Sequence, residues 1–173
     1  MFCSRQAMKN FLLLLFMLYQ ASGIAQPSTQ YGNILLNTAK DYRKAEPQVI
    51  LAADYVYSSP LDKDNVYRGE ATKFVMKWMG GTSDYSFTPD KIVSKVTNGN
   101  NELYGLYFVC LAKYALEKGK GTDREELKLN AYALLATYCE NPANKCVIKG
   151  EIKKLIEAKN QNAIKQYIEL KEK

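Results

Sequence analysis

The chain has no histidine. That absence removes Ser-His-Asp and Cys-His nucleophilic machinery, together with every histidine-ligated zinc or haem centre. Cysteine is scarce, with four in 173 residues, and no C-x-x-C pair occurs. Without that spacing, and with no histidine to complete a tetrahedral set, the three thiols after residue 25 are not expected to form a metal site. Glycine (10) and proline (5) are too few for a collagen-like or low-complexity chain. The longest apolar run, 11–19 (FLLLLFMLY), has nine residues, against roughly 20 needed to cross a bilayer. What remains is 47% hydrophobic, 24% charged and 12% aromatic, an ordinary globular balance. The chemistry left to it is that of carboxylates, lysine, tyrosine and thiols.

The apolar run follows Arg5 and Lys9 and precedes Gly23-Ile24-Ala25, small residues two apart. Basic start, apolar centre and small-residue end together predict a cleavable signal peptide over 1–25. Cys3 lies before the run, so lipidation of a cysteine after cleavage is not expected. The chain then divides into a polar lead-in, 26–33, and a single domain, 34–173, long enough for a core of its own. An exported chain meets an oxidising compartment. Cys139 and Cys146 bracket Glu140-Asn141-Pro142-Ala143-Asn144-Lys145, a turn-forming stretch. They are the candidate disulfide, whereas Cys110 sits in an apolar helical stretch and reads as a small buried hydrophobe.

Periodicity throughout the domain is helical. Tyr67, Ala71, Phe74, Val75 and Trp78 form one apolar stripe, stopped by Gly80-Gly81. Leu103, Leu106, Tyr107, Cys110, Leu111 and Tyr114 form another, after Asn100 and before Gly119. Thr122-Asp123-Arg124-Glu125 reads as a capping box opening a third helix, which ends before Pro142. A fourth carries Ile148, Ile152, Leu155 and Ile156, continuing or restarting near Asn160. A helix over 34–45 is expected to stop at Pro47, with a new one running to Tyr57. A short helix is expected over 90–96. No segment alternates with period two. The predicted fold is all-α: five to seven short antiparallel helices in stacked hairpins. It is repeat-like without being a consensus tetratricopeptide, because Tyr107 or Arg124 occupies a position that needs a small residue.

Several stretches carry a chemical reading beside a structural one. Asp62-Lys63-Asp64-Asn65 begins like a calcium loop, but Val66, Tyr67 and Lys73 stand where Asp, Gly and Glu are required. Gly119-Lys120-Gly121-Thr122 has phosphate-loop letters without the spacing. Trp78-Met79-Gly80-Gly81, with Tyr85 and Phe87 on the polar loop that follows, is the most distinctive segment. Trp78, Tyr85 and Phe87 form the candidate binding surface for a sugar, a peptide or another ring. The competing reading is that Trp78 closes the core and Phe87 folds the loop back onto it. The 13 tyrosines are expected to pack at core edges, rings buried and hydroxyls wet. Positive charge gathers in 145–173, with eight lysines against four glutamates. That excess is too small for a nucleic-acid footprint and suits a solvated helix face.

Three stretches resemble a group of small exported all-helical proteins of Bacteroidetes-type bacteria. They are Lys77-Trp78-Met79-Gly80-Gly81-Thr82-Ser83-Asp84-Tyr85-Ser86-Phe87, the segment from Gly105-Leu106-Tyr107 to Ala115-Leu116-Glu117, and that from Lys128-Leu129-Asn130-Ala131-Tyr132 to Tyr138-Cys139-Glu140-Asn141. The resemblance implies an exported helical domain in a Gram-negative envelope and transfers no catalytic residue.

The function expected from these observations is non-catalytic: interaction with a protein, peptide or glycan partner in the cell envelope, in the periplasm or outside the cell. No cofactor, metal or nucleic acid is called for, and no span remains after cleavage. The alternatives are an envelope hydrolase using carboxylates such as Glu102 or Asp84, and a structural subunit of an envelope assembly. A glycosidase-type pair would hold two acids roughly 5–10 Å apart.

Overall fold

The computed structural model describes residues 31–88 and 90–173; the expected signal peptide, and the lead-in up to residue 30, lie outside them. Among the described residues there are seven α-helices and no strand. They are α1 Ala39–Ser58, α2 Val66–Met79, α3 Val93–Val96, α4 Asn101–Lys118, α5 Arg124–Glu140, α6 Gly150–Asn160 and α7 Ile164–Glu172. Short 3₁₀ turns stand at Tyr31–Asn33 and Pro142–Asn144. No helix among the described residues is long and apolar enough to cross a membrane.

Three helical hairpins stack on one another. In each, the helices α1 and α2, α4 and α5, or α6 and α7 pack side by side. The middle hairpin joins the others: α4 packs on both α1 and α2, and α5 on both α6 and α7. Helix α4 is the axis of the core, with Leu103, Leu106, Tyr107, Val109, Cys110 and Ala112 among its buried residues. Close approach of α2 to α4 depends on Gly105. A Cβ there would stand 2.9 Å from the Thr72 methyl, closer than packed carbons tolerate.

The helix boundaries follow local chemistry; α1 begins at Ala39 and not at residue 34, α6 begins at Gly150, after Ile148, and two further departures from expectation have a clear physical reason. Asn100 caps α4 by accepting from the Leu103 N–H at 3.0 Å, and Gly119 at φ 96° ends it. Helix α5 starts one residue later than the predicted box. Asp123, not Thr122, is its cap, accepting from the amides of Glu125 (2.8 Å) and Glu126 (3.1 Å), while Thr122 turns back to the Gly119 carbonyl. A carboxylate at this position also meets the helix dipole, which a hydroxyl does not.

The second departure is Pro47, which lies inside one continuous 20-residue helix where a break is expected. An interior proline costs about 3 kcal/mol. Here Ala45 precedes it and Val49, Ala52, Ala53 and Val56 follow, all buried on one side. That stripe, and a Thr38–Asp41 capping box at the helix start, hold the segment helical through the proline.

Candidate functional site

The loop after α2 is built around Trp78. Its side chain is enclosed, at 0% exposure, and its Nε1–H donates to the Tyr42 carbonyl at 3.0 Å. Tyr85 and Phe87 remain half-buried. Their ring centres lie 5.5 Å and 6.1 Å from the indole and 6.4 Å from each other. The three aromatics are thus brought together as the sequence suggested, but Trp78 is the floor that holds the other two and has no face left for a ligand. Gly81 is required here, because a Cβ would stand 2.0 Å from the Tyr42 hydroxyl.

Ionic contacts fix the loop further. Asp84 accepts from Arg43 Nε at 2.8 Å and from Lys120 Nζ at 2.6 Å, with its side chain 13% exposed. Hydrogen bonds from these two cations hold its carboxyl well below the ordinary carboxylate range. An acid kept ionised in this way cannot give up a proton near neutrality. Glu102 lies 3.6 Å from the Arg68 guanidinium. The two carboxylates considered for hydrolysis are therefore each taken up by a cation.

Beyond the loop a cleft of about 590 Å³ opens between residues 86–88 and 90–95, the start of α5 and the end of α7. Its apolar lining comes from Phe87, Ile92, Leu111 and Leu127, with Tyr107 behind. Asp90 organises the inner wall. Its Oδ2 accepts from the hydroxyls of Tyr107 (3.1 Å) and Tyr132 (2.8 Å), and its Oδ1 from the Ile92 N–H. Burial first, and then the Asp90 carboxylate, push Tyr107 far above the usual phenol range, and burial, Tyr107 and Asp90 together do the same to Tyr132. They are fixed neutral donors, not bases.

The rim is cationic. Lys128 is neutralised by Glu125 (3.2 Å) and Glu172 (2.9 Å), and Lys171 by Glu151 (2.7 Å). Arg124 donates to the Ser86 hydroxyl at 3.1 Å. Lys91 and Lys95 line the same cleft and have no ion-pair partner among the described residues. Sequence reading missed this arrangement. Asp90, Tyr107 and Tyr132 are distant in the chain, and the lysines stood out by no spacing. The tyrosine hydroxyls, expected to be wet, instead make long-range bonds: Tyr138 to the Ser59 carbonyl, Tyr57 to the Leu134 carbonyl and Tyr167 to Glu151.

The candidate disulfide is not formed. Cys110, Cys139 and Cys146 are free thiols. Cys139 and Cys146 are nonetheless neighbours, because the Pro142–Asn144 turn folds back on the end of α5. The turn brings the two thiols near each other without the covalent bond, which needs a sulfur–sulfur distance of about 2.05 Å.

No protein-family model matches the chain, and no curated protein or solved structure is detectably similar to it.

Proposed function

We propose that this chain is an exported, non-catalytic binding domain that holds an acidic peptide segment of an envelope partner protein in the cleft beside the aromatic loop. The observation that carries the proposal is the pair Lys91 and Lys95, without ionic partners among the described residues, above a floor of Phe87, Ile92, Leu111 and Leu127. Carboxylates spaced along a peptide would meet the lysines while its apolar side chains enter the floor. A peptide fits better than a glycan, since sugar recognition leans on an open aromatic face and the indole of Trp78 is enclosed. Export rests on the charge and apolar pattern of 1–25, and a place among small helical envelope proteins of Bacteroidetes-type bacteria rests on the resemblance described above. The fate of Asp84 and Glu102, each facing a cation, supports binding over carboxylate hydrolysis.

Fluorescence anisotropy tests the proposal, using protein purified after expression of the full chain. The probes are a labelled peptide alternating glutamate with leucine and its lysine–leucine counterpart. The acidic peptide binds, the basic one does not, and salt weakens the binding because the rim is exposed. Reversing charge in the Lys91→Glu, Lys95→Glu double variant lowers affinity about tenfold or more. Equal binding of both peptides, or an unaffected double variant, overturns the proposal; binding of an acidic oligosaccharide alone shifts it to a glycan.

A further inference from the structure

We infer that Cys146 is a reactive thiol that exchanges with disulfides, and that Cys139 is the thiol that resolves the mixed disulfide so formed. The two differ in the ways this role requires. Cys139 is buried in the last turn of α5, whereas Cys146 is partly open on the irregular segment before α6. The geometry between them is held from outside. Asn144 donates from Nδ2 to the Tyr138 carbonyl at 2.8 Å, and its own carbonyl accepts from the Leu61 N–H at 2.9 Å. This fixes the turn that carries Cys146 against the helix that carries Cys139.

A buried cation stands near the pair. Arg68 is 1% exposed, and its Nε, buried, has no hydrogen-bond partner among the described residues. Its Nη2 donates to the Tyr138 hydroxyl at 3.3 Å, and its closest acid, Glu102, is 3.6 Å away. An incompletely neutralised guanidinium favours an anion nearby. The Cys139 thiol beside it draws the Cys146 thiol below the ordinary range; burial opposes this, and Arg68 adds a smaller pull in the same direction as Cys139. The same proximity, followed by burial, raises Cys139. The partly open sulfur is thereby the readier nucleophile and the buried one the reserve.

The chemistry balances without a metal or a second cofactor. The Cys146 thiolate attacks a small-molecule disulfide; the Cys146–sulfur bond forms, the disulfide breaks, and one thiolate leaves and takes up a proton. Cys139 then loses its proton and attacks the Cys146 sulfur, forming the Cys139–Cys146 bond and expelling the second thiol. Two protein thiols are oxidised and one external disulfide is reduced.

Oxidised glutathione is the probe, applied to reduced protein from the full chain and followed by mass spectrometry. Trypsin cleaves after Lys145, between the two cysteines, so their bond appears as two linked peptides. In the untreated protein, iodoacetamide labels Cys146 about tenfold faster than Cys110 or Cys139, because Cys146 is partly open and the other two are buried. With oxidised glutathione, wild type yields the linked peptides. Cys139→Ala stops at a stable glutathione adduct on Cys146, and Cys146→Ala yields no adduct on Cys139. Labelling of Cys110 or Cys139 first, or failure of Cys146 to form the adduct in folded Cys139→Ala protein, overturns the inference.

Discussion

The α1–α2–α4 side of the molecule is sealed by a broad apolar core crossed by the pairs Arg68–Glu102 and Lys113–Asp54, whereas the α6–α7 hairpin is held by a narrower apolar stripe and a set of ion pairs. On the first side Val49, Ala52, Ala53, Val56, Ala71, Val75 and Trp78 are all wholly buried. On the second, Ile152, Leu155 and Ile168 face inward, but Val147, Ile148 and Leu170 are exposed. Ionic contacts there run from Glu151 to Lys154 and Lys171, from Lys128 to Glu172 and from Lys159 to Glu140. Apolar burial is insensitive to charge state, whereas ion pairs weaken as carboxylates protonate or salt rises. Because Lys171 and Glu172 line the cleft, the proposed binding site has one wall on the firm side and one on the pH-sensitive side.

The largest way to break this comparison is Trp78→Ala. It empties the most voluminous buried site and strips Tyr85 and Phe87 of their support. The expected loss is about 3–5 kcal/mol by denaturant unfolding. Ile168→Ala, in the second region, is expected to cost less, about 2 kcal/mol. Were the two losses equal, or reversed, the assignment of firm and labile sides would be wrong.

A third change sharpens the ionic half of the contrast. Glu151 accepts from Lys171, Lys154 and the Tyr167 hydroxyl, which hold its carboxyl down at about 2. Since the folded value lies below the ordinary 4.5, the stabilisation is complete above that value and fades as pH falls towards 2. Hydrogen exchange should therefore show α6 and α7 opening in this acid window before α1, α2 and α4. Glu151→Gln should remove the acid-dependent step at a cost near neutrality of up to about 1 kcal/mol. Uniform opening of all helices in that window would erase the distinction. The smallest effect is expected from Lys145→Gly. Lys145 adopts φ 55°, left-handed backbone that glycine occupies freely. A gain of roughly 0.5–1 kcal/mol in thermal unfolding is predicted, since strain at the joint between the two regions is relieved.

Much of the local structure was legible before any coordinates. The stripe through Phe74 and Trp78, the cap at Asn100, the stop at Gly119 and the restart after Asn160 each rest on contacts within about one helical turn. Pro47 was misread because its local penalty is visible in sequence, while the buried stripe that outweighs it is not. The thiol pair was legible as a candidate disulfide, and the structure shows the two thiols free, since spacing brings two sulfurs near without setting their separation. The cleft was not legible at all. Asp90 reaches 17 residues to Tyr107 and 42 to Tyr132, and Arg68 reaches 70 to Tyr138.

Sequence by itself determined that the domain is helical, where most of its helices begin and end, and which chemistries a chain without histidine must forgo. Those properties follow from backbone hydrogen bonds and side-chain spacing over three or four residues, which are written along the chain. Tertiary structure alone decided that Trp78 is enclosed, that Arg68 is buried near two thiols, and that Lys91 and Lys95 edge an apolar cleft. Burial and electrostatic environment belong to neighbours in space, and folding brings those neighbours from distant parts of the sequence.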